Sequence, residues 1–165
     1  MQSLSPAVVV CLVSLAFATG SVAAQEKIPK AALAALEASE KLELYSLDPK
    51  EKSASEPNDF HGWEILGSAN VEKAETQKKL IDALKRGVAE SDGTVAACFN
   101  PRHGIRVVRD GKTFDFVICF ECLSAVVFID DKRTDSFLLT SSPAATFNHV
   151  LKDAKVKLPK PADAE

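Results

Sequence analysis

The sequence predicts an α+β domain: a mainly antiparallel sheet with helices packed on one face. Three observations carry that prediction. Residues 94 to 140 are dense in Val, Ile and Phe, and they contain Arg109-Asp110-Gly111-Lys112, where Asp-Gly accepts the positive φ angles of a type I′ hairpin turn. Leu80, Ile81, Leu84 and Val88 recur at helical spacing before that block. Phe147, Val150, Leu151 and Ala154 do so after it.

The elements follow in order. Residues 1–24 are expected to be a signal peptide, because Ala7 to Gly20 is almost wholly apolar and Ser21, Ala23 and Ala24 suit cleavage after Ala24. No Lys or Arg precedes the run. It is shorter than the roughly 18 to 20 residues that span a bilayer, so no membrane span is expected once the leader is removed. Cys11 would leave with it. The mature chain would be exported, to the periplasm, the cell surface or the medium.

A single domain is expected over 25–158 and a disordered tail over 159–165, with the chain losing any pattern from Lys157. Pro29 can open a helix running through Glu40. Leu42 to Leu47 reads as a strand closed by Asp48-Pro49, and the polar stretch Lys50 to Asn58 as a loop. A second strand is expected at Gly62 to Ser68 around Trp63, Ile65 and Leu66. The next helix is expected over Val71 to Ser91, with Glu75–Lys79 and Asp82–Arg86 as i,i+4 pairs and Ser91-Asp92-Gly93 as its stop. After the hairpin, a further strand, Ser136 to Thr140, follows a polar turn from Asp130 to Arg133. Ser142 can cap the last helix, Pro143 suits its first turn and Pro159 closes it; His149 lies beside its buried stripe and is read as a surface residue.

The hairpin fixes a register. With Asp110 and Gly111 as loop residues, Val107 faces Phe114, Arg106 faces Asp115, Ile105 faces Phe116 and His103 faces Ile118. Ile105, Val107, Phe114 and Phe116 then share the core face, and Arg106 pairs with Asp115 on the other. Continuing the count sets Arg102 opposite Cys119, with Glu121 on the same face. Cys119 and Cys122 would project to opposite faces unless a bulge intervenes.

Chemistry concentrates in two strings, Cys98-Phe99-Asn100-Pro101-Arg102-His103 and Cys119-Phe120-Glu121-Cys122. One reading is a zinc site of Cys98, His103, Cys119 and Cys122, a Cys3His donor set. A second is thiol chemistry, in which Arg102 lowers the pKa of Cys119 and Cys122 or Cys98 resolves the product. A third is structural: a disulfide from Cys98 to Cys119 or Cys122, or buried thiols acting as small hydrophobes. Phosphate-binding glycine loops, His-Glu-x-x-His helices, haem-attachment motifs and calcium loops are absent from the sequence. A net charge of −3 gives no reason to expect nucleic acid as partner.

The strings Cys-Phe-Asn-Pro-Arg-His-Gly-Ile and Ile-Cys-Phe-Glu-Cys, preceded by Ser46-Leu47-Asp48-Pro49 and Phe60-His61-Gly62-Trp63, resemble those of a group of small uncharacterised exported bacterial proteins. The resemblance covers about residues 41 to 155. It implies a cell-envelope or secreted setting and that the two cysteine strings form a unit; it brings no catalytic or ligand role. The function expected from the sequence is a non-enzymatic envelope module that binds or interacts, with a protein of the envelope as a candidate partner and a Cys/Arg/His cluster that is structural or binds metal. The alternative is a thiol–disulfide oxidoreductase or redox sensor using Cys119 with Cys122 or Cys98.

Overall fold

The computed structural model describes residues 27–51 and 59–160. The expected leader, most of the expected 50–58 loop and residues 161–165 of the expected tail lie outside the described residues. The fold is α+β. Seven antiparallel strands, β1 (Leu42–Glu51), β2 (Asp59–Phe60), β3 (Trp63–Val71), β4 (His103–Arg109), β5 (Lys112–Cys119), β6 (Ser124–Ile129) and β7 (Lys132–Leu138), form one sheet in the order β2-β3-β1-β4-β5-β6-β7. Three helices, α1 (Lys30–Ala38), α2 (Ala74–Ala89) and α3 (Ala144–Asp153), complete it.

The helices share one face of the sheet. Leu36 of α1, Leu80 and Leu84 of α2, and Phe147 and Leu151 of α3 pack with Leu44, Ile105, Val107, Phe116, Val127 and Phe137 of the strands in a single buried cluster. The alternation of β4 and β5 dictates this, because Ile105, Val107, Phe114 and Phe116 all point to the helical side. The opposite face carries a smaller cluster of Tyr45, Leu47, Phe60 and Val117, flanked by Trp63, Ile65, Phe99 and Phe128. Gly104 makes room there: a Cβ at this position would lie 2.6 Å from Phe60 Cε1.

The hairpin register is as the sequence predicts, including Arg106↔Asp115 and His103↔Ile118, with Asp110 and Gly111 both at positive φ. Other elements differ in extent. β1 runs past Asp48-Pro49 to Glu51, which a proline tolerates because β4 pairs only as far as Ser46 and the pairing to β3 shifts register between Leu47 and Glu51. β7 begins at Lys132, not Ser136, because Asp130 and Asp131 both adopt left-handed φ and close a two-residue turn. Asp82 pairs with Lys78 at 2.5 Å, whereas Glu75 pairs with Lys79 as expected. Ser142 spends its hydroxyl on Glu90 instead of capping α3. Beyond α3, Val156 and Leu158 pack against the main core, so the chain from Lys157 is docked as far as it is described. His149 is exposed and pairs with Asp153, one turn on.

Candidate functional site

The two cysteine strings meet at one end of the β5–β6 hairpin. β5 stops at Cys119, which faces Ser124 of β6. Residues 120–123 form the connecting turn, with Leu123 at φ 57°. A turn, not a bulge, therefore brings Cys119 and Cys122 together, and they are joined by a disulfide. Both are buried, and the Cys122 N–H points at Cys119 Sγ at 3.1 Å.

Cys98 arrives from the irregular segment that precedes β4. That segment is pinned on either side of it: the Ala96 N–H donates to the Cys122 carbonyl at 3.1 Å, and the Asn100 N–H lies 3.2 Å from Cys122 Sγ. The Arg102 N–H donates to the Ile118 carbonyl and the Leu47 N–H to the Arg102 carbonyl, which anchors the segment to the sheet. As a result Cys98 Sγ sits 3.9 Å from Cys122 Sγ. Cys98 is exposed and carries a free thiol. One accessible thiol thus touches a buried disulfide that solvent does not reach.

Cys98 also lines an open cleft of about 390 Å³, shared with His61, Trp63, Phe99, Phe128 and Arg133. Trp63 and Phe99 meet edge to face with centroids 5.5 Å apart, and the buried Trp63 Nε1–H has no acceptor among the described residues. His61 occupies the two-residue turn between β2 and β3 at φ 55°. Its ring stacks on Phe128, and its Nε2 lies 2.7 Å from Asp115 Oδ2. Asp115 is buried and also accepts two hydrogen bonds from Arg106. Burial by itself raises the Asp115 carboxyl, but the bonds from Arg106 and His61 outweigh it and hold the group below its ordinary value.

His61, Asp115 and Asp131 offer ligand atoms within 4.8 Å of one another and could hold a metal ion; among the described residues no other such trio of His, Cys, Asp or Glu occurs. The Arg106 guanidinium on both Asp115 oxygens opposes a cation there. The four residues read as a zinc site do not assemble. Cys119 and Cys122 share a bond and have no thiolate to give. His103 is buried between Phe120 and Phe147, with its Nε2 on Asn148 Oδ1 at 2.9 Å. Burial pushes its pKa down to about 4. A disulfide from Cys98 is likewise not formed, since its expected partners bond each other.

Arg102 takes the expected place beside Glu121 as an ion pair, with Nε 3.0 Å from Glu121 Oε1, and its Nη1 donates to the Lys160 carbonyl. The structure therefore unites Cys98, Cys119 and Cys122 and leaves His103 facing α3. Three further residues at or beside these sites, His61, Trp63 and Asn148, are not among those the sequence singles out for chemistry. His61-Gly62 was the available signal, since that pair suits a type I′ turn. No protein-family model, curated protein or solved structure matches this chain.

Proposed function

We propose that this protein is a thiol–disulfide exchange module in which Cys98 relays between an outside partner and the buried Cys119–Cys122 pair. One observation carries the reading: the 3.9 Å separation of Cys98 Sγ and Cys122 Sγ. The Cys98 thiolate attacks Cys122 Sγ, a Cys98–Cys122 bond forms, and Cys119 leaves as a thiolate and takes a proton. No electrons are gained or lost in that step. The Cys122 N–H at Cys119 Sγ and the Asn100 N–H at Cys122 Sγ each favour a thiolate on the sulfur they face.

Turnover needs an outside dithiol to reduce the pair and an outside disulfide to re-oxidise it: a partner thiolate attacks Cys98 Sγ of the Cys98–Cys122 bond and expels Cys122 as a thiolate, and the partner's second thiolate then displaces Cys98, which leaves that partner oxidised and Cys119 and Cys122 reduced. With Cys119 and Cys122 reduced, the Cys98 thiolate attacks a partner's disulfide and expels one partner thiolate. The Cys122 thiolate then attacks Cys98 Sγ, which forms the Cys98–Cys122 bond and releases the second partner thiolate, and the Cys119 thiolate attacks Cys122 Sγ and releases Cys98 as a thiolate. The partner gains two electrons and the protein's dithiol loses two. The exported setting that the leader and the family resemblance imply would supply such disulfides.

A purely structural disulfide in a binding module is the competing reading, and it gives Cys98 no role. Zinc on Cys98, His103, Cys119 and Cys122 is disfavoured by the sulfur pairing and by the Asn148 bond of His103. The deciding experiment follows reduction of the Cys119–Cys122 bond by a small thiol, with acid quench, alkylation and mass analysis. Cys98→Ser should slow reduction about tenfold or more, since the buried sulfurs lose their accessible intermediary. An unchanged rate would favour the structural reading.

A further inference from the structure

The open cleft beside Cys98 is assembled from three parts of the chain. Its floor is the non-helical face of β6 and β7, where Phe128 stands opposite Arg133 and Val126 opposite Ser136. One wall is the β2–β3 turn with His61 and Trp63, and the other is the irregular segment that carries Val95, Cys98 and Phe99. Three aromatic side chains, Trp63, Phe99 and Phe128, thus line a space of about 390 Å³ that has the free thiol in its wall. Val95 is 54 % exposed there, and apart from Val108 it is the only exposed large apolar side chain among the described residues.

The charge of this space is one-sided. No Asp or Glu lines it. His61 is committed to Asp115, whereas Arg133 is exposed and has no ion pair among the described residues.

Exchange brings a partner's sulfur into line with Cys98 Sγ. In an extended chain each residue advances about 3.3 Å, so the side chains flanking that sulfur enter the cleft with it. A small polar neighbour would leave Val95 and the rings in water, while an aromatic one covers them. An acidic neighbour meets Arg133, and a basic one is repelled by it.

We propose that the cleft docks an extended segment of a protein substrate in which a disulfide-bonded cysteine has an aromatic residue on one side and an acidic residue on the other. This docking rests on the exchange chemistry proposed for Cys98 and gives it a substrate preference.

Pentapeptides with a central cysteine in disulfide linkage to 2-mercaptoethanol test it on the full chain with the Cys119–Cys122 bond intact. The Cys98 thiolate attacks the peptide sulfur, a Cys98–peptide disulfide forms, and 2-mercaptoethanol leaves as a thiolate and takes a proton. The rate of adduct formation, located at Cys98 by peptide mapping, is divided by the rate at which N-acetylcysteamine attacks the same peptide sulfur. A peptide with Phe and Asp flanking the cysteine should react about tenfold faster than one with Ala for Phe. It should react about threefold faster than one with Lys for Asp, and Arg133→Glu should reverse that second preference. The Phe/Asp peptide with serine for cysteine cannot exchange, yet it should slow iodoacetamide alkylation of Cys98 in a saturable way. Equal rates for the three peptides, an unchanged preference in Arg133→Glu, or no protection by the serine peptide would overturn the docking. The relay is read separately in the reduced chain, where the Cys98 adduct should resolve into the Cys119–Cys122 bond. An adduct that persists there defeats the relay and leaves the docking standing.

Discussion

Arg106 donates to both carboxylate oxygens of Asp115, at 2.7 and 2.6 Å, across the non-helical face of the sheet. Asp115 is 1 % exposed, while the Arg106 side chain is 37 % exposed. The same carboxylate holds His61, and the guanidinium lies 5.3 Å from the centroid of the Phe60 ring. This pair therefore organises the face on which β2 and its turn are laid down.

Removing only the cation should be expensive. Arg106→Leu leaves a buried carboxylate with His61 alone, and we expect a loss of about 2 to 3 kcal/mol in urea unfolding, at the low end for broken buried pairs because Arg106 is partly solvated. Arg106→Leu combined with Asp115→Leu should recover much of it. A double variant as unstable as the sum of the singles would show that the pair does not act as a unit.

Stability should fall on acidification in two stages. The depressed folded pKa of His103, about 4 against an ordinary value near 6.5, means that the unfolded chain binds the extra proton first. Its contribution is complete above about 6.5 and is lost as pH falls toward about 4, on the order of 3 kcal/mol. Asp115, also depressed, contributes above about 3.9 and loses that contribution as pH falls through its lower folded value. His103→Gln should flatten the first stage and leave the second, as read from urea midpoints at a series of pH values.

Gly104 should not tolerate a side chain. A Cβ would sit 2.6 Å from Phe60 Cε1 and 2.9 Å from Cδ1, and a ring packed against Tyr45 at 4.5 Å has little room to move. We expect Gly104→Val to lower stability by about 1 to 3 kcal/mol. Phe60→Ala in the same chain should relieve part of that penalty. Simple additivity of the two changes would contradict the packing argument.

The parts of the fold that sequence resolves are those governed by local chemistry. Asp110-Gly111 sets a turn, the turn sets a register, and the register puts Arg106 on Asp115 before any tertiary contact is considered. The cysteine site was harder to read because strand periodicity continues on paper through Phe120-Glu121, with nothing so explicit as Asn-Gly to mark the break. Leu123 closes that turn at φ 57°, a conformation that branched apolar residues seldom signal. His61 is not legible as a site residue because its partner, Asp115, is 54 residues away, and pairing at that range follows from strand order alone. Asn148 escaped for the same reason, since only the docking of α3 beside β4 brings it to His103.

The central claim is that Cys98 and Cys122 exchange bonds, and Cys119→Ser isolates that step. Without Cys119, the 3.9 Å pair should close under mild oxidation, and peptide mapping should recover a Cys98–Cys122 disulfide as the main product in the monomer. Recovery of both cysteines as free thiols, or only as bonds between chains, would contradict the account.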